Sequence, residues 1–269
     1  KLKDKTLDQL LIHYGEELLG KRLYEQFGAE FPLLIKFIDA RKDLSVQVHP
    51  NDQIAGERHD SFGKTEMWYI LQADEDARIN VGFNRSLGKE EYLKILKEGR
   101  IEYVLNFEKV KQGDSFFINT GLVHAIGGGV LLAEIQQTSD ITYRIYDWDR
   151  KDAQGNSREL HNELAVDAID FEKKEDFRLS YSKEKNSSST IASCRYFTTN
   201  FLLLEGDIEK NYSTIDSFVI YICTEGSAEI SINGNSEVVE KGQTLLIPAE
   251  NKKVKLFAEH AELLEVYIN

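Results

Sequence analysis

The chain has 269 residues, with 33 Lys and Arg against 46 Asp and Glu, a formal charge of −13 with His neutral. At 41% hydrophobic and 10% aromatic residues it can bury a sizeable core, which excludes global disorder. The acidic balance argues against nucleic acid or an anionic membrane as partner, and no apolar run approaches the ~18 residues of a membrane span. In chain order, leucines at three-to-four spacing predict a helix over residues 6–27, or two short ones, because Gly15 and Gly20 interrupt the pattern. Turn-bounded β-branched and aromatic runs predict strands over 32–37, 44–49, 67–72 and 78–82. A helix over 88–97 is predicted to turn Tyr92, Leu93 and Leu96 inward, with Gly99 stopping it. Strands follow at 115–119, 130–136 and 142–146. A third helix is predicted from Ser157, whose hydroxyl can cap it, to Ile169. The polar run 183–190 has no apolar period and reads as a solvated loop. Strands at 201–204, 217–223, 228–232, 243–248 and 263–268 complete the pattern. So many short strands favour a sandwich or double-sheet barrel over a parallel α/β fold.

The chain also repeats itself. KQGDSFFI at 111–118 resembles EKGQTLLI at 240–247, with Gly113 matching Gly242. WYIL at 68–71 matches VIYI at 219–222 further upstream. The two offsets differ by the length of a helical insertion near residues 88–106. Two copies of one β-barrel unit are the economical reading, and a Gly-bounded hairpin followed by a short strand is what jelly-roll barrels show.

Two dyads carry chemistry. Gln47 and His49 are two apart on a strand and share a face, as do Lys64 and Glu66. His124 is placed just after a strand, before a turn at 127–129. Two imidazoles, one carboxylate and one amide oxygen form a mixed nitrogen and oxygen set that suits zinc, or a similar divalent ion, with an open position. By the two repeat offsets the second copy carries Lys253 for His124 and Ser217 for Glu66, so no second metal site is expected. His13, His59, His161 and His260 read as solvated side chains. Cys194 and Cys223 read as reduced thiols, and no secretory signal is visible, so a cytoplasmic location is expected.

The strings LSVQVHPND at 44–52, GKTEMWY at 63–69, VHAI at 123–126, SDITYR at 139–144 and YDW at 146–148 closely resemble the type I phosphomannose isomerases in their short bacterial form. The resemblance implies a mostly β fold of two cupin-type jelly-roll barrels with a few helices. It places a metal-binding catalytic cupin with its N-terminal helix and helical insertion at 1–150, a helical connector and loop at 151–190, and a second cupin without a metal site at 191–269. It implies one zinc per chain on Gln47, His49, Glu66 and His124. The implied reaction interconverts mannose 6-phosphate and fructose 6-phosphate through a cis-enediol, moving a proton between C1 and C2. Glu134 matches the family's acidic pocket residue and, two before Gln136 on one strand, can face the barrel interior. Arg144 matches its charge-stabilising arginine, and Lys64 adds a second cation. Ser45, Lys64, Arg150 and Asp140 are the expected substrate contacts. The implied partner is a small sugar phosphate, with neither nucleic acid nor membrane, for a monomer or weak homodimer. A non-catalytic metal-binding cupin that senses sugars is the rival reading.

Overall fold

A computed structural model describes residues 5–269. In chain order the elements are α1 (Leu7–Leu19), α2 (Lys21–Phe27), β1 (Leu33–Ala40), β2 (Val46–Val48), α3 (Asp52–His59), β3 (Glu66–Ala73) and β4 (Arg78–Phe83). Then come α4 (Lys89–Lys97), a 3-10 turn (Ile101–Val104), β5 (Leu105–Lys109), β6 (Ser115–Ile118), β7 (His124–Ile126), β8 (Val130–Gln137), β9 (Tyr143–Tyr146) and α5 (Asn162–Ala168). The last stretch holds β10 (Ser188–Ser193), β11 (Thr198–Asn211), β12 (Val219–Ile232), β13 (Asn235–Glu240), β14 (Thr244–Ile247) and β15 (Lys253–Tyr267). The protein is mostly β. Among the described residues no helix is long and apolar enough to cross a membrane.

Contacts divide the chain into two compact units. One is Leu33–Leu179; the other joins the N-terminal segment up to Pro32 to Ser180–Asn269. The N-terminal helices, grouped by the sequence with the first barrel, thus pack with the C-terminal strands. Their apolar face explains this: Leu11, Leu18, Leu19 and Leu23 are buried. Ala249 and Glu250 N–H groups donate to Leu18 O and Glu17 O, closing the end of α1. The Asp216 carboxylate accepts from Lys21 and Arg22 N–H, holding the start of α2.

In the Leu33–Leu179 unit, a four-stranded sheet ordered β1-β8-β3-β6 and a five-stranded sheet ordered β5-β4-β7-β2-β9 share one core. The first sheet's inner face is apolar at one end, with Ile38, Leu132 and Ile70 aligned. Lys36, Glu134 and Trp68 follow in the next aligned row, and Gln136 and Glu66 in the one after. The second sheet turns Val46, Val48, Tyr143 and Ile145 outward, where they pack with Tyr92 of α4 and Ala165 of α5. Period-2 alternation separates a helix-covered back from a polar-ended front.

The C-terminal unit is one sheet, β10-β11-β15-β12-β13, with β14 also pairing β12. Its strands are long because bulges bend them rather than end them: the β12–β15 register shifts between Cys223 and Glu225 and again between Gly226 and Glu229. The segments predicted at 217–223 and 228–232 are therefore one strand, and those at 201–204 and 263–268 extend to fourteen and fifteen residues. The repeat is visible in the register. Lys36, Glu134, Trp68 and Phe116 align across β1-β8-β3-β6, as Asn200, Glu265, Tyr221 and Leu245 align across β11-β15-β12-β14. By that alignment Val219, not Ser217, stands where Glu66 does.

Other expectations shift for local reasons. The third helix begins at Asn162, because Asp152 gathers the N–H groups of Gln154 and Asn156 into a turn and Ser157 bridges Lys151. Leu93 is exposed, leaving Tyr92 as the buried residue of α4. β10 starts inside the polar run, where the Ser188 hydroxyl donates to Glu265 and Thr190 to Asn200. α3, unpredicted for want of an apolar face, is capped by Asn51 Oδ1 accepting from Ile54 N at 2.9 Å.

Gly226 sits at φ +73°, and a Cβ there would lie 2.2 Å from His260 O. Gly226→Ala is expected to lower the free energy of unfolding by about 1–3 kcal/mol, measured by denaturant titration.

Candidate metal centre

Adjacent strands assemble the centre. Gln47 on β2 faces His124 on β7 and Arg144 on β9, all in the five-stranded sheet. His49 follows β2 directly, and Glu66 opens β3 of the other sheet. His124 thus begins a strand instead of following one. His49, Glu66 and His124 are fully buried. His49 Nε2 lies 3.5 Å from Glu66 Oε2, and His124 Nε2 lies 3.5 Å from Glu66 Oε1. Gln47 Nε2 is 3.2 Å from His124 Nε2, and half a turn of the amide presents its oxygen to the same place.

Backbone contacts aim the rings. His49 Nδ1–H donates to Ile141 O at 2.9 Å and His124 Nδ1–H to Leu122 O at 2.8 Å. Each imidazole therefore turns an Nε2 lone pair toward Glu66, as second contacts of metal-bound histidines do. His49 Nε2 and both Glu66 oxygens have no hydrogen-bond partner among the described residues. Burial pushes the His124 imidazole down to about 4, and burial, then the Lys64 cation, lowers His49 as well. Burial, then the Glu134 charge, raises the Glu66 carboxyl well above its ordinary range, against the pull of Lys64 and Lys36. Donors around a tetrahedral ion at ~2.1 Å would stand roughly 3.4 Å apart. The 3.5 Å separations match, and a divalent cation would satisfy all three orphaned atoms at once.

The remaining expected residues surround this cluster unevenly. Lys64 Nζ is buried 3.9 Å from Glu66 Oε2. The Glu134 carboxylate accepts from Lys36 Nζ at 3.1 Å and from Trp68 Nε1 at 3.0 Å. Arg144 Nε donates to the buried Ser45 Oγ at 3.4 Å. Burial, then Arg158, disfavours the Arg144 cation, a setting in which an anion is welcome. Arg150 is spent elsewhere, on the Asp147 carboxylate, Asp147 O and Asp43 O. Asp140 is exposed.

Three contributors escaped the sequence reading. Lys36 had one signal, a lone cation in the apolar run 33–38. His59 donates to or accepts from Tyr143 Oη at 2.8 Å, and His161 Nδ1 accepts from Arg144 N, so neither is merely solvated. Only the folded arrangement reveals those two.

Glu66→Gln is expected to abolish stoichiometric divalent-metal uptake, read by elemental analysis, while melting no lower than the chelated wild type. Protons compete for the raised carboxyl, so metal affinity in the wild type should weaken as pH falls through the Glu66 range, measured by calorimetric titration.

Known proteins resemble this chain in sequence and in fold. Residues 1–78 match the family profile described as phosphomannose isomerase type I, catalytic domain, and residues 187–268 match mannose-6-phosphate isomerase, cupin domain. Mannose-6-phosphate isomerase ManA of Bacillus subtilis is 36% identical over 250 residues, covering 91% of this chain and 76% of the relative. Mannose-6-phosphate isomerase of Streptococcus mutans is 34% identical over 247 residues, with 91% and 76% covered. The crystal structure of the Bacillus subtilis mannose 6-phosphate isomerase superposes with a TM-score of 0.85 at 31% identity, covering 96% of this chain and 81% of that one. A putative mannosephosphate isomerase from Archaeoglobus fulgidus shares the fold, with a TM-score of 0.77 at 22% identity and 97% and 79% covered. The chain belongs to the type I phosphomannose isomerase family.

Proposed function

We propose that the chain interconverts mannose 6-phosphate and fructose 6-phosphate with one zinc ion held by Gln47, His49, Glu66 and His124. The orphaned donor atoms of His49 and Glu66, set beside Lys64, Lys36 and Arg144, support the assignment together with the isomerase names of the relatives. When bound, the ion supplies Lewis-acid polarisation and offsets charge on the sugar oxygens.

The side chains do the rest. Glu134 is held between Lys36 and Trp68 with both oxygens accepting, an arrangement that orients it to take a proton from C1 or C2. The same carboxyl then returns the proton to the neighbouring carbon, while the hydroxyl proton passes between O2 and O1, so that carbonyl and hydroxyl exchange places. Arg144 and Lys64 stabilise the enediolate oxygen as charge develops on it. Ser45, Lys64 and Arg144 form the polar wall that receives the sugar phosphate. Arg150, with its donors on Asp43 and Asp147, braces the loop after β9, and exposed Asp140 lies at the rim.

A coupled assay of mannose 6-phosphate turnover, before and after chelation and with zinc restored, tests the proposal. Activity should vanish on chelation and return with zinc. Metal-replete protein that binds the sugar phosphate without turnover would favour the sensing role instead. Glu134→Gln is expected to lower kcat by about 10²–10⁴-fold with metal content unchanged. Arg144→Ala should slow turnover by about 10²–10³-fold, again with the metal retained.

A further inference from the structure

β9 is the outer strand of its sheet, so Arg144 has a strand neighbour, β2, on one side only. Its backbone is nevertheless paired on the other. Arg144 N–H donates to His161 Nδ1 at 3.0 Å, and Arg144 O accepts from His161 N–H at 2.7 Å. One residue thus supplies a ring acceptor and a backbone donor where a further strand would have supplied two backbone groups. Two positions earlier, Glu159 O accepts from Arg144 Nη1 at 2.8 Å.

The clasp is anchored. His161 O accepts the Ala165 N–H at the start of α5, and Ala165 and Ile169 share a core with Tyr143 and Ile145 of β9. With Nε on Ser45 and Nη1 on Glu159, Nη2 is the guanidinium nitrogen without a protein partner among the described residues. A guanidinium held at two of three nitrogens has little freedom left, and the third is free for an anionic oxygen.

We propose that His161 is a positioning residue for Arg144, clasping both backbone groups so that the guanidinium stands ready over the reacting oxygens. This role presupposes that Arg144 stabilises the developing charge. It places the control of one catalytic group in the 159–161 segment. The ring works as an acceptor at Nδ1, so the requirement is for an unprotonated acceptor atom rather than for an imidazole as such.

A kinetic double-mutant cycle tests it. His161→Ala is expected to lower kcat by about ten- to a hundredfold, with KM moving less, because a displaced group is lost mainly from the transition state. His161→Asn, whose Oδ1 stands the same number of bonds from the backbone as Nδ1, should recover most of that loss. The double variant His161→Ala/Arg144→Ala should be no slower than Arg144→Ala alone. Losses that multiply, or a His161→Ala enzyme with wild-type kcat beside a slow Arg144→Ala, would overturn the role of His161. Arg144→Ala at full rate would instead remove the assignment of Arg144 itself, and the clasp's function with it. Amide exchange in the unmodified protein needs no variant. Slow exchange at Arg144 N–H supports the clasp, and exchange as fast as an open strand edge refutes it.

Discussion

Glu66 is a buried carboxylate whose oxygens have no hydrogen-bond partner among the described residues, and the centre is arranged around what that demands. Removing a carboxylate from water without a partner is among the most unfavourable steps in folding. Lys64, at 3.9 Å, gives partial compensation only. The two nearest groups are imidazoles that burial keeps neutral, and their Nδ1 protons are already given to backbone carbonyls. The His49 Nε2 and Glu66 lone pairs thus converge without a hydrogen-bond donor among the described residues. Such an arrangement is poor as a folded core and good as a cation receptor, which would make one site of an acidic chain hospitable to an anionic sugar.

The second copy of the sheet shows the other solution to the same problem. Glu265 occupies the row position of Glu134 and is equally buried. Its oxygens accept from Tyr212, Asn200 at 2.8 Å and Ser188 at 2.8 Å, with Lys210 Nζ 3.1 Å away. Burial would raise this carboxyl, yet Lys210 and these donors hold it below its ordinary range. Val219 replaces Glu66 one row along. A carboxylate answered by four donors is a structural fixture, in contrast to the unanswered oxygens of Glu66.

Much of the centre was legible because strand chemistry is local. Gln47 with His49, and Lys64 with Glu66, lie two apart, and period-2 alternation alone puts each pair on one face. The alternation in 130–136 likewise exposed Glu134 and Gln136 on a single face. What stayed hidden depends on partners far along the chain. No local pattern couples His161 to Arg144 or Lys36 to Glu134, since register and loop path decide them. The long C-terminal strands were missed for a related reason. In 253–262 the alternation of Lys253, Val254, Lys255 and Leu256 breaks at Phe257, and bulges at Gly226 and Gly206 reset the pattern that periodicity relies on. The N-terminal helices were read from their leucines, but only packing shows which unit those leucines belong to.

The donors of the centre have a topological side as well. His124 comes from one sheet, with His49 just beyond β2 of that sheet, and Glu66 comes from the other. An ion drawing them together would therefore act as a removable cross-link between two layers that otherwise adhere through side-chain packing. Closing the loops between these residues would shrink the unfolded ensemble much as a disulfide does, in a chain whose two cysteines are free. The same atom that equips the site for catalysis would thus set the mechanical integrity of the sandwich, so that loading with metal would decide firmness and activity together.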